Sequence, residues 1–504
     1  MQRTKNASRN IIFGTILKLY QIAVPFFIRT VINYILGIEY LGLTSLFTSI
    51  LQVLNLAELG VGSAMVYSMY KPVEQKDTQT ICALMKLYRR YYRIIGMVVL
   101  TAGVILLPFL PKLISGAVPQ NINIYILYLL NLCTTVVSYW MFAYKSSLLV
   151  AHQRNDIISK VALGTNTFQY IIQLIVLILL KSYYIYLIIA LAVQIITNII
   201  TAVAANKMYP QYKAKGDLHK TEVQGINQRI RDLFTAKIGG IITNSADTIV
   251  VSAFLGLEIL AVYQNYYYII SAVMNFTGII FVSCQAGIGN SIVSESIQKN
   301  YNDLKKFTML ISCVITIAAS CLLNLFQPFM KIWMGEKNML DFRCVILFCI
   351  YFYVCELTRI WTTYKDAAGI WHKDRFRPFI SSMTNLVLNL ILVQSIGIYG
   401  ILLSTIVSYA VIGMPWLIMN MFRYIFKRDF KEYLLDICYF FLMTIMACIC
   451  SFIGVKYISG DSFGFLIVKL AICLVVSGII IVIFCYRKKE FKELLKTAKG
   501  LLTK

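Results

Sequence analysis

Leu36-Gly37-Ile38-Glu39-Tyr40-Leu41 returns later in the chain as Leu255-Gly256-Leu257-Glu258-Ile259-Leu260, at an offset of 219 residues (256 − 37). Lys18 falls on Lys237 at the same offset (237 − 18), and Asn166 falls on Asn385 (385 − 166). Tyr144-Lys145 and His152 correspond to Tyr364-Lys365 and His372 one residue farther along, at 220 (364 − 144). One spacing shared by several anchors predicts two tandem halves of about 220 residues.

Composition says what the halves are made of. Of 504 residues, 59% are hydrophobic and 14% charged, and the mean hydropathy is +0.72. A soluble chain carries about 25% charged residues. Apolar runs of about twenty residues, enough to cross a bilayer as helix, recur to the end. The expected fold is an all-α polytopic membrane protein of about fourteen transmembrane helices. The first apolar run contains Lys18 and Arg29 and has no small-residue cleavage site behind it, so it reads as an uncleaved first span. Residues 1–206 are expected to form a first six-helix lobe and 234–420 a second, joined by a basic cytoplasmic linker at 207–233. Residues 421–486 fall outside the repeat as an appended pair of spans. The tail at 487–504 reads as a basic amphipathic helix suited to an anionic membrane surface.

Net charge is +24. With the N-terminus inside, most of the 47 Lys and Arg fall in loops on the inner side. That asymmetry predicts a multi-pass cell-membrane protein with both termini in the cytoplasm. The charge lies in short loops and not in a basic domain, which argues against a nucleic-acid partner. Thirteen cysteines sit mostly within apolar runs, with no C-x-x-C pair, and read as packing thiols rather than metal ligands.

The polar residues at membrane depth carry the functional reading. Lys18, Gln21, Arg29 and Asn33 of the first span fall within an arc of about 120° at 100° per residue. Pro25 sits on the same side and would bend the helix. Charges on one helical stripe face a bundle interior or a wet cavity in preference to lipid. Span seven carries Lys237, Asn244, Asp247 and Thr248, again on one side. Span ten carries Glu356 and Arg359, spaced to pair with each other. Glu58 lies near the inner end of span two. Blander readings stand beside these. Lys18, Arg29 and Lys237 could each reach the nearer interface by snorkelling. Asp247 could be a structural partner for a cation, and Glu58 could brace its helix end.

Several chemistries are excluded or disfavoured. The chain has no G-x-x-x-x-G-K-[ST], hence no P-loop nucleotide site. It has no D-x-D, which disfavours a nucleotide-sugar transferase. The histidines, His152, His219 and His372, lie in inner loops, and no large outer loop could house a polymerase or ligase site. The protein is therefore not expected to be an enzyme or to carry a cofactor. Its energy would come from a proton or sodium gradient or from the membrane potential, with Glu58 and Asp247 as the coupling carboxylates.

Leu36-Gly37-Ile38-Glu39-Tyr40-Leu41-Gly42-Leu43, followed by Leu56-Ala57-Glu58-Leu59-Gly60-Val61-Gly62-Ser63-Ala64, resembles the polysaccharide repeat-unit flippases of the Wzx type. So does Thr243-Asn244-Ser245-Ala246-Asp247-Thr248-Ile249-Val250-Val251-Ser252, running into Leu255-Gly256 and Tyr263. These flippases belong to the multidrug, oligosaccharidyl-lipid and polysaccharide exporter (MOP) superfamily. The resemblance implies a MATE-like fold, a V-shaped central cavity and alternating access. It implies an undecaprenyl-diphosphate-linked oligosaccharide as substrate. For such a substrate the charges at membrane depth put Lys18, Arg29 and Lys237, the repeat-mate of Lys18, on the diphosphate, with Gln21, Asn33, Asn244 and Thr248 as cavity polar groups. Polysaccharide polymerase and glycosyltransferases would be partners in the same pathway. In the related peptidoglycan-precursor flippases, spans thirteen and fourteen form a groove for the lipid tail; this chain has a sparser set of cavity arginines than those. Tyr263 and Tyr266 to Tyr268 suit sugar stacking, and equally an interfacial aromatic belt. The alternatives are a MATE-type drug or cation antiporter, whose cavity should be acidic where this first span is cationic, and a membrane enzyme of glycan assembly.

Overall fold

The computed structural model describes residues 2–494 except 117, 120, 121, 459 and 461, and describes the side chains of these except residues 2–8, 11, 235–237 and 244. Of the expected tail, residues 495–504 lie outside the described residues, as do the side chains of Lys237 and Asn244.

The described chain is a succession of helices: α1 (Gln2–Ile35), α2 (Ile38–Leu54), α3 (Val61–Gln75), α4 (Thr78–Leu106), α5 (Ile124–Trp140), α6 (Ser146–Ala151), α7 (Asn155–Leu179), α8 (Tyr183–Met208) and α9 (Lys220–Leu255). There follow α10 (Leu257–Ser294), α11 (Ile297–Met334), α12 (Phe342–Ala367), the short α13 (Trp371–Asp374), α14 (Arg377–Ile396), α15 (Ile398–Val407), α16 (Met414–Met421), α17 (Lys431–Val455) and α18 (Phe463–Cys485). Among the described residues, 13 helical stretches are long and apolar enough to cross a membrane. The pair Ile124–Trp140 and Ala143–Ala151, bent by 46°, makes a fourteenth if read as one span. The protein is a multi-pass, all-helical membrane protein, as expected.

Helix boundaries return at the spacing of the sequence repeat. α2 starts at Ile38 and α10 at Leu257 (257 − 38 = 219); α4 starts at Thr78 and α11 at Ile297 (297 − 78 = 219). The glycines explain the agreement. Gly37 has φ 116° and Gly256 φ 91°, a region closed to side chains, so only glycine turns one helix into the next there. Gly116 and Gly335, another pair at 219, have φ 81° and 85°.

The chain divides into two compact units, Met1–Ala261 and Val262–Lys504. The first unit thus includes α9, which opens the second sequence repeat. α9 packs along α2, with Gly42 pressed onto the Leu257 backbone: a Cβ there would stand 2.2 Å from the Leu257 carbonyl oxygen. α1 continues through Pro25 as one helix and packs along α7. The second span is broken. A 3₁₀ turn, Asn55–Glu58, and left-handed Gly60 (φ 91°) separate α2 from α3.

Half of the expected linker is helix. His219 and Glu222 form a capping box that starts α9 at Lys220. The first turns are then fastened to the first unit: Arg229 Nη1 donates to Ser68 Oγ (3.2 Å), and Tyr91 Oη donates to Asn227 Oδ1 (2.6 Å).

In the second unit α11 is the hub against which α12, α17 and α18 pack. α17 is attached by a polar seam. Thr308 and Tyr433 share a hydrogen bond of 2.7 Å, and Thr316 and Thr444 one of 2.8 Å. Ser320 Oγ and Asn324 Nδ2 both donate to Ser451 Oγ (2.7 and 2.9 Å). These small polar residues let the helices approach closely and bond within an apolar surround. The thirteen cysteines are all free, several of them buried in this packing.

Candidate functional site

The cationic stripe of α1 is spread along the helix. Lys18 and Gln21 are exposed, while Arg29 and Asn33 are half-buried. Lys18 and Arg29 stand eleven residues apart (29 − 18), about 16 Å along the axis at 1.5 Å per residue. Arg29 sits among tyrosines. Its charge acts on the Tyr183 and Tyr186 phenols, which stack on each other with ring centroids 5.4 Å apart. Tyr40 meets Tyr183 edge-on at 5.1 Å, and Thr44 hydrogen-bonds to the Tyr183 hydroxyl. An arginine in an aromatic, hydroxyl-lined setting keeps its charge and is weakly hydrated, which suits it to phosphate oxygens.

Asp247 and Thr248 are buried on α9 within the first unit. One turn away Ser245 Oγ donates to Gln52 Oε1 of α2 (3.5 Å). Ser245 thus faces α2.

Glu58 has neighbours that are distant in the sequence. Tyr92 Oη donates to Glu58 Oε1 (3.3 Å), and Tyr88 Oη donates to Tyr92 Oη (2.6 Å). The Glu58 charge also acts on Tyr139 of α5. Gly62 makes room: a Cβ there would stand 3.0 Å from Glu58 Oε1 and 3.1 Å from the Tyr88 hydroxyl. Glu58 is thus a half-buried carboxylate at a helix break, beside phenols from two other helices. The tyrosines come from α4 and α5, so no local pattern around Glu58 pointed to them.

Glu356 and Arg359 do pair. Arg359 Nη1 donates to Glu356 Oε1 (2.9 Å) and to the Met274 carbonyl of α10 (2.7 Å). The Glu356 side chain is 1% exposed and that of Arg359 31%, so the pair fastens α12 to α10 and leaves the guanidinium partly accessible.

The remaining feature lies in the second unit, between α11, α12 and α17. A cavity of about 390 Å³ runs there, lined by Leu323, Ile346, Ile350, Phe441, Ile445 and Ile449 among others. Ile449 is 49% and Phe452 43% exposed, so the groove opens on the helix surface and is not sealed. It is apolar over nearly its whole lining and suits a hydrocarbon chain. Among the described residues, no group of three or more His, Cys, Asp or Glu could hold a metal ion.

No family model matches the chain, and no curated protein matches it in sequence. Solved structures do match. The chain is similar to the lipid II flippase MurJ in an inward closed conformation, at a TM-score of 0.70 and 16% identity over 94% of this chain and 99% of that one. It is similar to a multidrug resistance MATE family transporter of the MOP superfamily in an inward-facing conformation, at 0.62 and 13% over 81% and 94%. It is similar to a mutant of the Vibrio cholerae MATE transporter VcmN, at 0.53 and 11% over 84% and 99%. At these identities the likeness speaks for the fold: this chain has the helical architecture found in a lipid flippase and in MATE transporters of the MOP superfamily.

Proposed function

We propose that the protein flips an undecaprenyl-diphosphate-linked oligosaccharide across the cell membrane for surface polysaccharide synthesis, by alternating access. The observation that carries this reading is the apolar groove of the second unit. A drug or cation exporter has no use for an apolar seat of this kind on its helix surface, whereas a polyprenyl tail does. The diphosphate is the part that cannot enter hydrocarbon bare, and it needs fixed cations along its route. Arg29 is the first of these, because a guanidinium holds two phosphate oxygens at once. Lys18 and Lys237 serve the same head group. Gln21, Asn33, Asn244 and Thr248 contact the glycan or its phosphates. Glu58 and Asp247 couple transport to a proton or sodium gradient or to the membrane potential, since the chain has no nucleotide motif. Both termini are cytoplasmic in this reading, and glycosyltransferases supply the substrate that a polymerase consumes.

Filling the groove tests it. Cys448→Trp puts an indole into the groove wall. It should cut glycan export at least tenfold in a complemented flippase-deficient strain, at unchanged membrane abundance. Cys450→Trp on the same helix, outside the groove lining, is the control. Full export by Cys448→Trp would remove the tail seat, and with it the ground for this substrate class.

A further inference from the structure

The 219-residue offset places α4 of the first unit in register with α11 of the second (297 − 78). On α11, Thr308, Ser312, Thr316 and Ser320 are buried along the seam that α17 covers. Their counterparts on α4 are Arg89, Arg93, Met97 and Thr101 (308 − 89 = 219, and so on in steps of four), and every one is exposed. One turn farther, Ile105 is 61% exposed. The face occupied by α17 in the second unit is thus uncovered in the first.

Its two ends differ in chemistry. Arg89 and Arg93 both act on the Tyr144 hydroxyl, and Arg89 acts on the Lys145 amine, so three cations gather at one end. Lys145 Nζ donates to Asn206 Oδ1 (2.7 Å), an amide and not a carboxylate. Its repeat-mate Lys365 is neutralised, by Asp366 at 2.7 Å and Asp374 at 3.3 Å. So is Lys86, one turn before Arg89, by Asp217 at 2.8 Å. Among the described residues, no carboxylate pairs with Arg89, Arg93 or Lys145.

The cluster is held by the backbone. Phe142 has φ 59°, a left-handed conformation unusual for a bulky residue, and it breaks the span just before Lys145. Trp140 Nε1 donates to the Arg93 carbonyl (3.2 Å). Gly96 makes room for that indole; a Cβ would lie 2.1 Å from Nε1. The charge bias of loops explains cations at this end of a span. It does not explain three without counter-ions at the head of an apolar, uncovered stripe. From Arg93 to Ile105 is 12 residues (105 − 93), about 18 Å of helix, close to the depth of one bilayer leaflet.

We propose that this stripe of α4 binds an anionic phospholipid of the surrounding membrane, with its phosphate on Arg89, Arg93 and Lys145 and a chain laid along Met97, Thr101 and Ile105. The lipid is resident, not transported, and it takes the place that α17 fills in the second unit. Basic pockets between membrane helices bind such head groups by charge-assisted hydrogen bonds.

The test is native mass spectrometry of the full chain titrated with phosphatidylglycerol, phosphatidylcholine or inorganic pyrophosphate. Wild type should hold one phosphatidylglycerol at least tenfold more tightly than phosphatidylcholine. The Arg89→Gln/Arg93→Gln/Lys145→Gln variant should lose that preference, and Lys71→Gln/Lys76→Gln should keep it. Equal binding of the two lipids by wild type, or an undiminished preference in the triple variant, overturns the proposal. So does displacement of the lipid by pyrophosphate alone, which would mark a site for free phosphates. A dimer that covers this face without lipid preference also overturns it. Should the triple variant fail to fold, brominated lipids read the same site through Trp140. Brominated phosphatidylglycerol should quench a component of the fluorescence that brominated phosphatidylcholine spares and that Trp140→Phe removes; equal quenching by both lipids overturns the proposal.

Discussion

Removing the seam between α11 and α17 should loosen the wall of the apolar groove. Thr444→Val and Ser451→Ala together delete three interhelical bonds: Thr316–Thr444 (2.8 Å), Ser320–Ser451 (2.7 Å) and Asn324–Ser451 (2.9 Å). A hydrogen bond between membrane helices averages about 0.6 kcal/mol and reaches about 1.7. The loss is therefore about 2 kcal/mol, with an upper bound of about 5 kcal/mol. Both substitutions change side-chain volume little and leave the Ser320 hydroxyl without its partner on α17, so the loss is one of hydrogen bonding and not of packing. The assay is the thermal midpoint of the purified protein in detergent, read by size-exclusion after heating. The double variant should unfold several degrees below wild type and export less glycan. Leu442→Val, on the exposed face of α17, should match wild type. A double variant with the wild-type midpoint would show that apolar packing alone holds α17.

Two further outcomes follow from the first unit. Glu58→Gln with Asp247→Asn should abolish the dependence of export on the ion gradient while the protein still reaches the membrane. An unchanged ion dependence in transport assays would exclude both carboxylates from coupling. Gly42→Val would drive a side chain into the Leu257 carbonyl, 2.2 Å from the built Cβ. It should lower membrane abundance or force α2 off α9, which a cysteine pair engineered across that seam would report as lost cross-linking; wild-type cross-linking would mean the backbones separate at little cost.

Much of the fold is legible in the sequence because hydropathy and glycine placement are local signals. Gly37 and Gly256 announce the same inter-helix turn twice, and the helices they separate begin 219 residues apart. The Glu356–Arg359 pair is legible too, since it needs only three residues of spacing. What is not legible depends on partners distant in the chain. The tyrosines around Glu58 come from α4 and α5, and the groove needs α17 laid against α11 and α12. The break at Phe142 escapes because a phenylalanine does not advertise a left-handed φ. The start of α9 inside the expected linker escapes because its charged residues read as a solvated loop, while the capping box and the contacts to Ser68 and Tyr91 make it helix. The charge stripe of α1 is visible as an arc, but an arc says nothing of distance along the axis, which separates Lys18 from Arg29.

The most direct measurement is transport by the purified protein in liposomes loaded on one side with an undecaprenyl-diphosphate-linked oligosaccharide. Appearance of the glycan on the other face is read by a membrane-impermeant lectin. Wild type should translocate it, Arg29→Ala should fall to the protein-free rate, and Arg29→Lys should recover part, because lysine keeps the charge but not the two-bond grip on phosphate. Translocation by Arg29→Ala at the wild-type rate, or none by wild type under any imposed ion gradient or potential, would contradict the account.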